Sequence, residues 1–303
     1  MRILLATDGS ATADRARDLV AATAWTQPVE IRVISAIEHG PALFGSPWIP
    51  AVPPDAADME DEAVDHMRDV LARAATALAG LGRTVDVELL RGSPAFAVVD
   101  EMHDWPPDLV VVGSRGHSPI ETTLVGSTSS AIVDHAVCPV LVVRQGPAGA
   151  VVFAEDGSPA ARDAEALLGA WPLYRDRVVD VVSVVDLAAP WRTGIAPTMF
   201  GNAMDVYADM ITSAQAVQER QAADTTARLR AAGLRAEMQL REGDPVTEIV
   251  AAAREDEAAL IVVGSRGHTG LARAVLGGVA HGVLTHAPCS VLIVRHREHA
   301  PTS

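Results

Sequence analysis

The sequence predicts an α/β protein of two tandem, doubly wound domains, each a five-stranded parallel sheet covered by helices on both faces. Three observations carry this reading. Short runs rich in Val, Ile and Leu alternate with longer helical stretches in the order β-α-β-α-β-α-β-α-β, the pattern of a buried parallel sheet. The chain has 303 residues, long for one core and comfortable for two domains. The stretch Leu109–Ser130, LVVVGSRGHSPIETTLVGSTSS, returns as Leu260–His281, LIVVGSRGHTGLARAVLGGVAH, at an offset of 151 (264 − 113). The expected domains are residues 1–145 and 150–296, joined by the Gly/Pro linker Gln145–Gly149.

In the first half, Arg2–Thr7 is an apolar strand, and Asp8-Gly9-Ser10 turns it into a helix from about Ala11 to Trp25. Val29–Ile37 is the second strand. A Pro- and Gly-rich connection, Glu38–Ala56, precedes a long helix over Ala57–Leu81, and connections this long are commonly lids, binding segments or disorder. Thr84–Arg91 is the third strand. Gly92-Ser93-Pro94 reads as a helix start, with Ser as cap and Pro at the first helical position. That helix stops before Pro106-Pro107, the fourth strand is Leu109–Val112, Gly126–His135 is a helix and Val140–Arg144 the last strand.

The pattern restarts with Val151–Ala154 and Asp156-Gly157-Ser158, at an offset of 148 (156 − 8). Arg177–Val185 is a strand, Asp186–Asp205 a second irregular connection, and a long helix runs to about Ala232. Arg235–Arg241 is followed by Gly243-Asp244-Pro245, the same helix start with Asp in place of Ser. The change of offset from 148 to 151 places a net insertion of three residues in the interval holding the variable connection, where insertions cost least.

Composition narrows the function. A formal net charge of −15 argues against a nucleic-acid partner, which needs a dense basic face. All 24 basic residues are Arg, so the Lys of a Walker A loop is missing, and no G-x-G-x-x-G follows the first strand. Cys138 and Cys289 occupy equivalent places and read as small buried hydrophobes rather than a disulfide or metal site. The N-terminus, MRILLATDGS, lacks a cleavable signal pattern and no apolar run reaches spanning length. A cytoplasmic protein without a membrane partner is expected.

The repeated stretch has the layout of a phosphate cradle. A buried strand ends at Gly113, a loop carries Gly116, and Gly126-Ser127 opens a helix whose first amides have no partner inside it. The spacing is G-x2-G-x9-G-[ST]. Together with the Asp-Gly-Ser turn and the second copy, it resembles the universal stress protein family, specifically its tandem two-domain, ATP-binding members, along nearly the whole chain.

The resemblance implies a strand order of 3-2-1-4-5, an adenine nucleotide alpha hydrolase-like fold, and ATP at the carboxyl ends of strands one and four, with Mg²⁺ accompanying its phosphates. Ala6, Thr7 and Asp8 would line the nucleoside side, Ala36 would meet the base, and Val112 would lie under it. Gly113 and Gly116 would let the loop close on the phosphates. Gly126, Ser127, Thr128 and Ser129 would donate amides and hydroxyls to them. The corresponding positions of the second half are Asp156, Val184, Val263, Gly264, Gly267, Gly277, Gly278 and Val279. The last strands, PVLVVR and SVLIVR, pair across a two-fold in this family, which implies an intrachain pseudo-dimer, and a homodimer is compatible with it.

Two departures imply weaker binding in the second half. Gly278, Val279 and Ala280 stand in place of Ser127, Thr128 and Ser129, removing three hydroxyls. Glu155 stands where the first half has Thr7, adding negative charge beside the pocket. Asp8 also reads as a plain turn or helix cap, and Ser127–Ser129 as N-capping. His117, His268, Arg115 and Arg266 follow the strand and read first as solvated loop residues. His135 and His286 suit helix C-termini, Trp25 and Trp171 are packing residues at helix ends, and His296 and His299 fall in a polar tail.

No catalytic constellation recurs in both halves, so binding without efficient chemistry is expected, with a stress or dormancy role implied by the resemblance alone. Two rivals stay open. One is a nucleotide-hydrolysing or adenylyl-transferring enzyme of the same superfamily, and the other a nucleotide-free interaction module.

Overall fold

The computed structural model describes residues 1–38, 56–79, 83–116, 125–146, 148–171, 176–186, 203–267 and 276–296. Most of both predicted connections, together with His117, His268 and His299, lies outside the described residues. The chain divides into two compact units, Met1–Gly146 and Pro147–Ser303.

Unit 1 runs β1 (Arg2–Ala6), α1 (Ala11–Ala22), β2 (Glu30–Ile37), α2 (Ala56–Leu78), β3 (Thr84–Arg91), α3 (Pro94–Asp104), β4 (Leu109–Gly113), α4 (Ser127–His135) and β5 (Val140–Val143). Its strands are parallel and ordered β3-β2-β1-β4-β5. Unit 2 repeats the series as β6 (Val151–Ala154), α5 (Pro159–Ala170), β7 (Val178–Val185), α6 (Ala203–Ala231), β8 (Arg235–Glu242), α7 (Pro245–Glu255), β9 (Leu260–Gly264), α8 (Gly278–His286) and β10 (Ser290–Val294). Its order is β8-β7-β6-β9-β10, again parallel.

In each unit the first two helices pack together on one side and the last two on the other: α1 with α2 and α3 with α4, then α5 with α6 and α7 with α8. Central strands are therefore buried on both faces, which explains their unbroken apolar runs. Ile3, Leu4, Leu5 and Leu109–Val111 have no exposed surface, and neither do Val151–Phe153 and Leu260–Val262. Each such Val, Leu or Ile contributes roughly 1.5–3 kcal/mol through burial. The edge strands β3 and β8 carry charges on their exposed positions, among them Asp86, Glu88, Glu237 and Glu242, and charged edges discourage pairing with another chain.

Three expectations are corrected in detail. Helix α1 stops at Ala22 rather than Trp25, because Thr23 is extended (φ −72°, ψ 125°) and its hydroxyl donates to the Leu19 carbonyl at 2.7 Å. Trp25 still serves that helix end, its Nε1 donating to the Val20 carbonyl at 3.2 Å. Ser93 occupies the N-cap of α3 without a side-chain bond, whereas Asp244 caps α7 by accepting from the Thr247 amide at 3.0 Å. His296 is tied down rather than part of a loose tail, its Nδ1 lying 2.7 Å from Asp163 Oδ2. Cys138 and Cys289 are buried and not joined in a disulfide. No helix among the described residues is long and apolar enough to cross a membrane.

Candidate functional site

The site of unit 1 forms where β1 and β4, adjacent in the sheet, reach their carboxyl ends. Ala6 pairs in register with Val112 on one side and Ile34 on the other, and Ala36 lies two residues further along β2. This is the point where the connections of a doubly wound sheet depart in opposite directions, leaving a crevice.

Local chemistry fixes the turn after β1. Gly9 has φ +76°, a left-handed conformation that favours glycine. The Thr7 hydroxyl accepts from the Gly9 amide at 3.2 Å, and Asp8 Oδ1 accepts from the Ser10 amide at 3.0 Å. Ser10 then caps α1 by accepting from the Ala13 amide at 3.3 Å. Asp8 is thus a turn former, as the plainer reading held, but its second oxygen faces the loop after β4. A Cβ on Gly116 would sit 2.5 Å from Asp8 Oδ2. A side chain at 116 would therefore push the Asp8 carboxylate aside.

Gly113 also has a structural reason that the phosphate reading did not foresee. A Cβ there would lie 2.6 Å from Thr12 Oγ1 and 2.7 Å from the Ala13 amide nitrogen, so the first turn of α1 sits directly on the end of β4. The loop leaving β4 is pinned from that turn. Ser10 Oγ donates to the Arg115 carbonyl at 3.1 Å, Thr12 Oγ1 donates to the same oxygen, and the Arg115 amide donates back to Thr12 Oγ1 at 3.3 Å. Sequence reasoning missed Ser10 and Thr12 as loop-positioning residues. Their S-x-T spacing at a helix start was the available signal.

Helix α4 opens toward this crevice. The Gly126 amide donates to the Ser114 carbonyl at 2.7 Å, and no side chain caps the helix at Gly126. Ser127 and Thr128 are exposed, so their amides and hydroxyls are presented together at the positive end of the helix dipole. Ser129 behaves differently from its neighbours. It is buried and its Oγ donates to the Gly113 carbonyl at 2.7 Å, so its hydroxyl fastens α4 to β4.

Unit 2 repeats the frame with poorer donors. Gly157 has φ +73°, Asp156 Oδ1 accepts from the Ser158 amide at 2.9 Å, and Ser158 Oγ accepts from the Ala161 amide at 3.1 Å. A Cβ on Gly267 would lie 2.7 Å from Asp156 Oδ2, and one on Gly264 would lie 2.9 Å from Ala160 Cβ. Ala154 pairs with Val263 and Val182, with Val184 two residues beyond on β7. The Gly277 amide donates to the Ser265 carbonyl at 2.8 Å, and α8 likewise has no side-chain cap. Yet Gly278, Val279 and Ala280 bring no hydroxyl, and Ala160 replaces the pinning Thr12.

Glu155, expected to bring negative charge beside the pocket, sits on the turn after β6 and also reaches toward α6. Its Oε1 accepts from the Gly157 amide at 2.7 Å, and it lines a cleft against α6 with Gln221. Burial pushes its carboxyl up to about 7, with the charges of Asp156 and Glu165 adding to the rise, while the Gly157 bond and Arg228 oppose it. His135 and His286 accept the helix-end role, each with Nδ1 2.8 Å from a carbonyl one turn back, Ala131 and Gly282. Among the described residues, no group of three His, Cys, Asp or Glu could hold a metal ion.

A family model described as "Universal stress protein family" matches residues 1–144 and 149–295. A universal stress protein of Thermus aquaticus is 35% identical over 142 residues, covering 47% of this chain and 97% of that protein. One of Mycobacterium bovis is 27% identical over an alignment of 314 positions, covering 97% and 96% of the two chains. Among solved structures, a universal stress protein from Archaeoglobus fulgidus shares the fold with a TM-score of 0.63 at 19% identity, covering 98% of each chain. With the turn, the glycine loop and the open helix start present in each unit, and the family model matching both, the chain belongs to the universal stress protein family.

Proposed function

We propose that the chain is an ATP-binding universal stress protein, acting as a stress regulator by holding the nucleotide rather than turning it over. The observation that carries this reading is the uncapped start of α4, with exposed Ser127 and Thr128, beside the loop pinned by Ser10 and Thr12. The triphosphate would take the amides of Ser127, Thr128 and Ser129 and the hydroxyls of the first two. Ala6, Ala36 and Val112 would flank the nucleoside, with Thr7 and Asp8 at the turn, and Gly113, Gly116 and Gly126 would keep the backbone close. In unit 2 the same role falls to Asp156, Val184, Val263, Gly264, Gly267, Gly277, Gly278 and Val279. Mg²⁺ would be held through the phosphates, since the described residues offer no carboxylate or imidazole cage.

Unit 1 should bind more tightly. A hydrogen bond to a charged group contributes about 1.5–3 kcal/mol, and about 1.4 kcal/mol is tenfold in affinity, so two exposed hydroxyls separate the sites by an order of magnitude or more. The test is to denature the purified chain, identify and count the released nucleotide, and titrate ATP·Mg²⁺ into Gly116→Asp and Gly267→Asp. Loss of the tighter site with Gly116→Asp supports the assignment. Equal effects of the two variants, or no binding to either unit, overturns it. Sustained ADP or adenylylated product that disappears with Ser127→Ala would instead favour an enzyme.

A further inference from the structure

Unit 2 contains a cleft of about 600 Å³ between α5 and α6, with Glu155 and Gly157 at one end and Gly169 and Ala232 at the other. Glu155 is only 5% exposed, and while its Oε1 is bonded to the Gly157 amide, its Oε2 has no hydrogen-bond partner. Gln218 Oε1, on the α6 helix that forms one wall, is buried and likewise unpartnered. A buried acceptor without a donor is destabilising, so an unmet acceptor marks a place where a donor belongs.

The arginines at hand are already engaged. Arg228 donates to both oxygens of Glu165, at 2.6 and 2.9 Å, and to Thr225 Oγ1 at 2.8 Å. Arg162 Nη1 donates to the Gly157 carbonyl at 2.9 Å. Glu155 and Asp224 line the cleft as carboxyls that no cation among the described residues hydrogen-bonds, although Arg228 acts on both electrostatically, and this disfavours an anionic occupant. Ala166, Leu229 and Ala232 give the wall an aliphatic stretch, alongside the polar Gln221 and Thr225.

Unit 1 is built otherwise at this place. Thr7 replaces Glu155, and Val70 closes over Gly9, its Cγ2 2.9 Å from where a Cβ would stand, where unit 2 has the Gln221 amide over Gly157. The polar floor is a feature of unit 2 alone.

We propose that this cleft is a binding site for a small aliphatic amine, its ammonium group donating to the Glu155 carboxylate and its alkyl chain lying along Ala166, Leu229 and Ala232. The proposal stands apart from the nucleotide reading, because none of the residues proposed for the second nucleotide site lines this cleft. Binding is linked to protons. The groups facing Glu155 are Asp156 on its own turn, Arg162 and Glu165 from α5, and Asp224 and Arg228 from α6. With its carboxyl raised to about 7 by burial, the free site is protonated at pH 6. An arriving ammonium, whose own proton stays on at this pH, displaces the carboxyl proton to solvent.

The experiment titrates the full chain with n-butylamine and with 1-butanol, by calorimetry and in a pH-stat, at pH 6 and pH 8.5, with and without ATP·Mg²⁺. Expected results are saturable amine binding, no comparable binding of the alcohol, and release of about one proton per amine at pH 6 with almost none at pH 8.5. Glu155→Gln should weaken the amine at least tenfold and abolish proton release. Ala166→Leu should weaken it while leaving Glu155 in place. If Glu155→Gln fails to fold, Glu155→Thr, the residue of unit 1, takes its place. Amine binding that is absent, matched by 1-butanol, or unchanged in the Glu155 variant overturns the proposal and leaves the cleft to water.

Discussion

At the scale of single residues, two side chains act in ways that only their folded surroundings show. Asp8 is the first: it was legible as a turn former from Asp-Gly-Ser, but its approach to Gly116 was not, because that contact joins residues 108 positions apart (116 − 8). Gly116→Ala would place a Cβ 2.5 Å from Asp8 Oδ2, turning the Asp8 carboxylate away from the loop, and we expect several-fold weaker ATP binding by calorimetry together with a stability loss of about 1 kcal/mol. Unchanged affinity would remove Asp8 and Gly116 from the site. Glu155 is the second. Because the folded unit holds its proton more tightly than the unfolded chain, its contribution to stability is full below about pH 4.5 and is lost as pH rises through about 7. Replacing it with Gln should therefore flatten the fall in stability between pH 5 and 8, by on the order of 3 kcal/mol, read from denaturant unfolding. Asp180, also raised by burial, to about 6, remains in both proteins and leaves the comparison intact.

At the scale of elements, the two helix starts α4 and α8 share a frame and differ in donors. A Cβ at Gly278 would meet nothing within 4 Å, so Gly278→Ser can be accommodated and returns the hydroxyl that Ser127 provides in unit 1. We expect it to raise nucleotide affinity in unit 2 by several-fold to tenfold, measured in a Gly116→Asp background that silences unit 1, and no gain would mean that amides alone set the affinity. The pinning of the loop by α1 makes a second claim. Thr12→Val should release the Arg115 amide and leave its carbonyl to Ser10 alone, at a cost of about 1 kcal/mol of stability, while weakening ATP by loosening the loop. The length of α1 was misjudged for a related reason. An apolar pattern continues to Trp25, but the Thr23 hydroxyl competes for the Leu19 carbonyl and the chain leaves the helix there.

At the scale of the whole molecule, the proposed nucleotide should protect the two units unequally. Hydrogen exchange with saturating ATP·Mg²⁺ is expected to slow at 113–116 and 126–130 more than at 264–267 and 277–280. Bound ligand stabilises the state that holds it by about 2.7 kcal/mol at a hundred times Kd, so the tighter site should show the larger protection. Equal protection of the two segments would refute the asymmetry. The same comparison explains why the repeat was so readable and its divergence less so. Strands buried on both faces must be apolar throughout and glycines at close backbone approaches cannot be replaced, so these positions recur in both halves. The positions facing the crevice or the cleft between helices carry no such constraint.

The sequence alone determined the duplicated βα alternation, the strand positions to within a residue or two, and the turn and glycine signatures of the family. Those features depend on local propensity and on burial imposed at every position of a central strand. Only the tertiary structure decided that Gly113 yields to Thr12 and Gly116 to Asp8, that Ser129 spends its hydroxyl on the Gly113 carbonyl, and that Glu155 turns toward α6. Each of these depends on the direction of a side chain across elements far apart in the chain, and direction across a packed interface is set by the neighbours it meets there.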